Sequence, residues 1–190
     1  MKISVAGQSR ASDDGGANQE HYVIIRTGPL QIAALFLARH VAQLSLGAAL
    51  RDETWLSMIM QIDLALCGGP ETTIVGASML GDEAIVFGAG DSRAYLVPLH
   101  GPTRIVTDDA SKARLGSGNA RPVVHRVELA RRDTLVLTSD GAWTPLGTRG
   151  IDRVRSAVMK DVTEVCEAIV DAAGRRGRMD DQTCVAVRRA

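Results

Sequence analysis

Aromatic residues are scarce in this chain: two Trp, two Tyr and two Phe, together 3% of 190 residues. Platforms that stack on single-stranded nucleic acid need such rings. Lys+Arg and Asp+Glu balance at 22 each, so the basic footprint of a nucleic-acid binder is missing as well, and no nucleic-acid partner is expected. A local cluster, Arg175, Arg176 and Arg178, can bind an anion; a solvated helix end is its plainer reading. Cysteine is equally sparse. Cys67, Cys166 and Cys184 stand far apart without C-x-x-C spacing, and His21, His40, His100 and His125 are scattered, which argues against a disulfide framework and a zinc site. Long apolar runs are missing too. The most apolar stretch, "LQIAALFLARHVAQLSLGAAL", is broken by Arg39, His40 and Gln43, so no membrane span is expected. The first residues, "MKISVAGQSRASDDGG", lack the apolar core of a signal peptide, and the expected location is cytoplasmic.

What is present is an ordinary globular composition, 45% apolar and 23% charged, in a length that suits one domain over residues 1–190. Residues 2–6 and 21–26 read as short strands, and residues 30–47 as an apolar-rich helix. "DETWLSMIMQIDLAL" reads as a second helix with acids in its first turn. "TTIVGASML", "EAIVFGA" and "RAYLVPL" are β-rich runs joined by Gly81-Asp82 and Gly90-Asp91, a spacing that predicts a three-stranded antiparallel meander. Residues 107–120 are loop-like. "PVVHRVEL", "TLVLTS" and "TCVAV" read as further strands, and "DVTEVCEAIVDAAG" as an amphipathic helix capped near Gly174. Strands and helices are segregated rather than alternating, which predicts an α+β fold with antiparallel sheet covered by helices.

Acidic residues recur at the ends of these strands: Glu20, Asp91, Asp140 and the pair Asp180-Asp181. Each alone fits turn chemistry, since Asp and Gly commonly close strands. Carboxylates are also the hard ligands that Mg²⁺ and Mn²⁺ prefer.

Taken in order, the segments resemble the metal-dependent protein phosphatases of type 2C, the PPM family. "TTIVGASMLGDEAIVFGAGDSRAYLV" resembles that family's central strands with their G-D-S-R-A-Y-L turn. "DTLVLTSDGAW" is similar to its S-D-G metal motif, and "RMDDQTCVAV" to its closing D-[ND]-x-[ST] strand. "GANQEHY" resembles N-[EQ]-D, and "IVTDDAS" the L-T-x-D-H-S loop. The resemblance implies an antiparallel β-sandwich flanked by helices. It also implies one or two Mg²⁺ or Mn²⁺ ions and, as substrate, a phosphoserine or phosphothreonine protein of a kinase-linked signalling kind. Carried over by position, it makes Asp140, Asp180 and Glu20 metal ligands, with a metal-activated water as the nucleophile. Arg10 is the nearest candidate for binding the phosphate, and Asp91 falls on a structural turn.

Two family features are replaced. Thr27, Gly28 and Pro29 stand where D-G-x-G-G, source of a bridging aspartate, belongs, and "DDGGA" stands where an arginine often precedes N-[EQ]-D. Two divalent ions ~4 Å apart repel by roughly 16 kcal/mol at an effective dielectric near 20, so the bridge matters. The alternative expectation is therefore a catalytically inactive pseudophosphatase that serves as a binding or regulatory module.

Overall fold

The computed structural model describes residues 3–12, 22–27, 30–35, 47–69, 71–108, 110, 112–157, 161–177 and 180–189, with backbone only for 22–27, 30–35, 49 and 155–157. Strands β1 (Ile3–Arg10), β2 (Tyr22–Thr27) and β3 (Leu30–Leu35) come first. A 3₁₀ turn (Ala48–Leu50) and helix α1 (Asp52–Leu66) follow. Next are β4 (Ile74–Leu80), β5 (Glu83–Ala89), β6 (Arg93–Val97), β7 (Arg104–Ile105), β8 (Val123–Glu128) and β9 (Thr134–Thr138). Helices α2 (Asp140–Trp143), α3 (Gly147–Ala157) and α4 (Val162–Gly174) precede the last strand, β10 (Gln182–Arg189).

The strands form two five-stranded antiparallel sheets, ordered β1-β10-β9-β6-β7 and β2-β3-β4-β5-β8. Alternate side chains of each strand point to opposite faces. Ala84 and Val86 of β5 meet Leu135 and Leu137 of β9 and Val185 and Val187 of β10 between the sheets. Ile85 and Phe87 face the other way, onto Trp55, Ile59 and Ile62 of α1, with Trp55 stacked on Phe87 at 3.9 Å between centroids. Tyr95, Val136, Cys184 and Ala186 on the outer face of the first sheet pack on Ile151, Val165, Ile169 and Val170 of α3 and α4. The layers are therefore helix, sheet, sheet, helix. Sheets covered on both faces explain why runs such as "TLVLT" are apolar without alternation; all five of its residues are buried.

Two expectations are corrected. Residues 30–35 form β3, paired with β2 and β4, rather than the start of a helix. A short apolar run carries no period that separates a buried strand from a buried helix, and here strand pairing decides; residues 36–46 lie outside the described residues. The predicted meander also breaks. β4 and β5 form a hairpin, but β6 pairs with β7 and β9 in the other sheet, so Gly90-Asp91 is a crossover between sheets. Gly90 has φ +92, and an added Cβ would lie 2.8 Å from Thr73 Cβ, so the crossover requires glycine.

Helices α2 and α3 had no counterpart in the sequence reading. Among the described side chains of α3, Ile151 and Val154 are the buried hydrophobics, one turn apart in a polar segment. Helix α4 follows its amphipathic pattern, and Asp161 caps it by accepting the Thr163 N–H at 3.2 Å.

Candidate active site

Strand register assembles the acidic residues. Thr138, the last residue of β9, lies opposite Cys184 of β10 and Arg93 of β6. The strands are antiparallel, so the end of β9 meets the starts of β10 and β6 at one edge of the first sheet. Asp140 follows β9, Asp180 and Asp181 precede β10, and Asp91 precedes β6. These four aspartates, spread over 91 positions of sequence, share that edge.

The S-D-G and D-D segments are tied together directly. Buried Ser139 donates its backbone N–H to the Thr183 carbonyl at 3.1 Å. Its hydroxyl accepts the Thr183 N–H at 3.0 Å and donates to the Asp181 carbonyl at 3.3 Å. Gly141 is held against the same segment: a Cβ there would overlap the Asp181 carbonyl oxygen and stand 3.1 Å from Asp180 Cβ. Serine and glycine in S-D-G thus serve the close approach, and Asp140 is delivered beside Asp180.

The electrostatics bear this out. Burial raises the Asp140 carboxyl above its usual range, and the charges of Asp91 and Asp180 raise it further. The Gly141 N–H, 3.0 Å from Asp140 Oδ1, and the Arg114 guanidinium oppose that rise. Asp180 is exposed, and its Oδ1 accepts the Asp181 N–H at 2.8 Å. Asp181 is buried and accepts the Ser12 N–H at 2.8 Å, fastening the chain beyond β1 rather than facing solvent.

Arg114 is the residue that the sequence reading missed. Its Nη2 lies 3.0 Å from Asp91 Oδ2 and 3.9 Å from Asp140 Oδ2. The hydrogen bond to Asp91 is the main reason its guanidinium is held even more firmly in the charged form. Its loop is fixed from beneath by Asp63 of α1, a buried carboxylate that accepts the N–H groups of Gly116 at 2.7 Å, Gly118 at 3.1 Å and Ala120 at 3.1 Å. Nothing in the loop's composition announces this, although an aspartate inside an apolar helix face is a signal. Trp143 completes the edge by donating Nε1–H to the Asp91 carbonyl at 2.9 Å while Arg93 stacks over its ring at 4.8 Å.

Of the expected site residues, Asp140 and Asp180 meet at this edge. Arg10 ends β1 opposite Gln182, at the same edge, and its guanidinium pairs with Asp171 of α4 at 2.6 Å. Glu20 lies outside the described residues. As donors, Asp140 and Asp180 fit a hard divalent cation in kind, because a cation offsets both the burial and the acidic neighbours that destabilise the Asp140 charge. Among the described residues no group of three or more His, Cys, Asp or Glu side chains is placed to hold a metal ion. Nor is any helix among them long and apolar enough to cross a membrane.

A helix-covered antiparallel sandwich with aspartates gathered at one sheet edge defines a type-2C phosphatase-like protein. A family model described as Stage II sporulation protein E (SpoIIE) matches residues 72–190, and the chain belongs to that family. Solved structures share the fold. The S. agalactiae serine/threonine phosphatase superposes with a TM-score of 0.78 at 17% identity, covering 100% of both chains. The PPM Ser-Thr phosphatase of Mycobacterium smegmatis, solved with cacodylate, gives 0.74 at 20% identity over 98% of each chain. A serine/threonine phosphatase of Staphylococcus aureus gives 0.79 at 14% identity over 100% of this chain and 96% of that one. No curated protein sequence matches the chain.

Proposed function

We propose that this protein is a phosphoprotein phosphatase that hydrolyses phosphoserine or phosphothreonine monoesters at the Asp140–Asp180 edge. The observation that carries the reading is the convergence of these two aspartates, from separate strand ends, with Asp140 destabilised as an anion by burial and then by its acidic neighbours. Asp140 and Asp180 would hold Mg²⁺ or Mn²⁺, with Glu20 proposed as a further ligand. Such an ion, when bound, supplies an acidified water and charge neutralisation at phosphorus.

The chain's own residues do the rest. Ser139 and Gly141 set the spacing of the two carboxylates. Arg114 offers a half-exposed guanidinium at the same edge, suited to planar, two-point contact with phosphoryl oxygens. Arg10, expected for that role, is engaged by Asp171. Hydrolysis of p-nitrophenyl phosphate by the full chain, dependent on Mn²⁺ and abolished in Arg114→Ala/Asp140→Asn, supports the reading; failure of the folded wild type to hydrolyse it at millimolar Mn²⁺ refutes it.

A pseudophosphatase is the second reading, favoured by one observation: Arg114 already presents a cation to Asp91 and Asp140. Calorimetric titration separates the two. Under the second reading, Mg²⁺ and Mn²⁺ produce no saturable heat.

A further inference from the structure

We propose that the groove between α3 and α4 docks an acidic segment of the phosphoprotein substrate; this rests on the phosphatase reading above. The groove holds about 350 Å³ over an apolar floor that includes Leu146, Val154, Ala168 and Ala172. Its rim carries Arg153, Arg175 and Arg176, all exposed. Arg176 Nη1 donates to the Pro145 carbonyl at 2.5 Å, which leans its guanidinium toward α3.

These arginines differ from five others in the structure. Arg10, Arg93, Arg114, Arg126 and Arg189 each lie within ion-pair distance of an aspartate. Among the described residues no carboxylate pairs with Arg153, Arg175 or Arg176, so the groove's rim gathers three arginines that no described ion pair engages. A peptide carrying Glu or Asp supplies carboxylates, which meet guanidinium forks while aliphatic stems lie on the floor. A nucleic acid would supply anions too, but the floor offers its bases no aromatic surface on which to stack.

The groove neighbours the aspartate edge along the chain: Pro145 and Leu146 follow α2, which begins at Asp140, and Arg176 stands four positions before Asp180. One extended peptide can therefore place a phosphoserine at the edge and its acidic flank on the arginines. The inference is one of substrate selection: phosphosites with acidic neighbours are preferred.

Fluorescence anisotropy on the full chain tests this with a labelled phosphoserine peptide flanked by glutamates and its counterpart flanked by glutamines. The glutamate peptide is expected to bind about ten-fold more tightly, as several weak exposed ion pairs acting together allow, and to lose that margin in high salt. The triple variants Arg153→Glu/Arg175→Glu/Arg176→Glu and Arg153→Gln/Arg175→Gln/Arg176→Gln should both abolish the preference. The milder one guards against misfolding, and p-nitrophenyl phosphate turnover should be unchanged in it. Equal binding of both peptides by the wild type overturns the proposal. So does a preference that survives substitution, as a purely structural role at the end of α4 would leave it. Tighter binding of an oligonucleotide of equal charge also overturns it. Anisotropy needs no turnover, so the docking site is decided even if the phosphatase reading fails.

Discussion

Arg114 and Asp140 face each other across 3.9 Å, although one lies in a loop and the other opens helix α2, and neither position forecasts the other. The pair sets a cation beside a carboxylate that burial and two acidic neighbours have made costly to ionise. Replacing Arg114 by Ala should raise KM for a phosphoserine peptide about ten-fold, with a smaller fall in kcat, as expected for loss of a charge-assisted contact to phosphate. Lysine should restore only part of it, because its point charge lacks the two-point fork. Steady-state kinetics on the three proteins checks this; an unchanged KM in Arg114→Ala removes the arginine from the phosphate site.

Asp63 is expected to act through Arg114. Asp63→Ala leaves three loop N–H groups without their acceptor and should lower stability by roughly 3 kcal/mol in denaturant unfolding. It should also raise KM as Arg114→Ala does. The double variant should then show little further rise, since both changes disable one element. Additive effects on KM would mean that the loop's fastening and the arginine's role are independent.

Gly141→Ala should be among the most damaging small substitutions at the site. The added methyl overlaps the backbone at Asp181, and overpacking of this kind costs about 1–3 kcal/mol. Relieving it pushes S-D-G away from D-D, so activity should fall further than stability alone explains. Thermal unfolding and kinetics on the same preparation separate the two effects.

Much of this edge was legible in the sequence, and the reason is local. The S-D-G and D-D-Q-T motifs use serine, glycine and threonine for short-range contacts between adjacent strands, so their chemistry shows in a few residues. Arg114 and Asp63 were illegible because their partners sit on other elements; Asp63 reads as one polar position in an apolar helix. Register was hidden in the same way. Gly90-Asp91 looks like a hairpin turn between β5 and β6, and only the packing of two sheets makes it a crossover. Residues 30–35 are apolar enough for either a buried strand or a helix, and pairing with β2 and β4 settles them as strand.

Tyr95 yields a prediction far from the aspartates in character. It is fully buried, and desolvation is the chief cause that raises its phenol to about 12 from an ordinary 10.0; Asp108 adds to the rise, while Arg93 and a hydrogen bond with Thr148 oppose it. Below pH 10.0 the folded and unfolded chains both keep the proton, and the residue adds no pH dependence. Between 10.0 and about 12 the unfolded chain loses the proton first, so stability falls with rising pH, by up to about 3 kcal/mol. Tyr95→Phe should lose that part of the decline, seen as a shallower fall of unfolding free energy across this window. Parallel curves for the two proteins would show that the phenol titrates alike in both states.

The most direct test of the account is phosphate release from a phosphoserine peptide by the full chain as Mn²⁺ is titrated, with Asp140→Asn and Asp180→Asn run alongside. The account predicts hydrolysis that saturates with metal in the wild type and falls at least about a hundred-fold in each variant while both remain folded, the scale expected when a group that stabilises the transition state is removed. Hydrolysis that is indifferent to metal, or that survives in either variant, would contradict it.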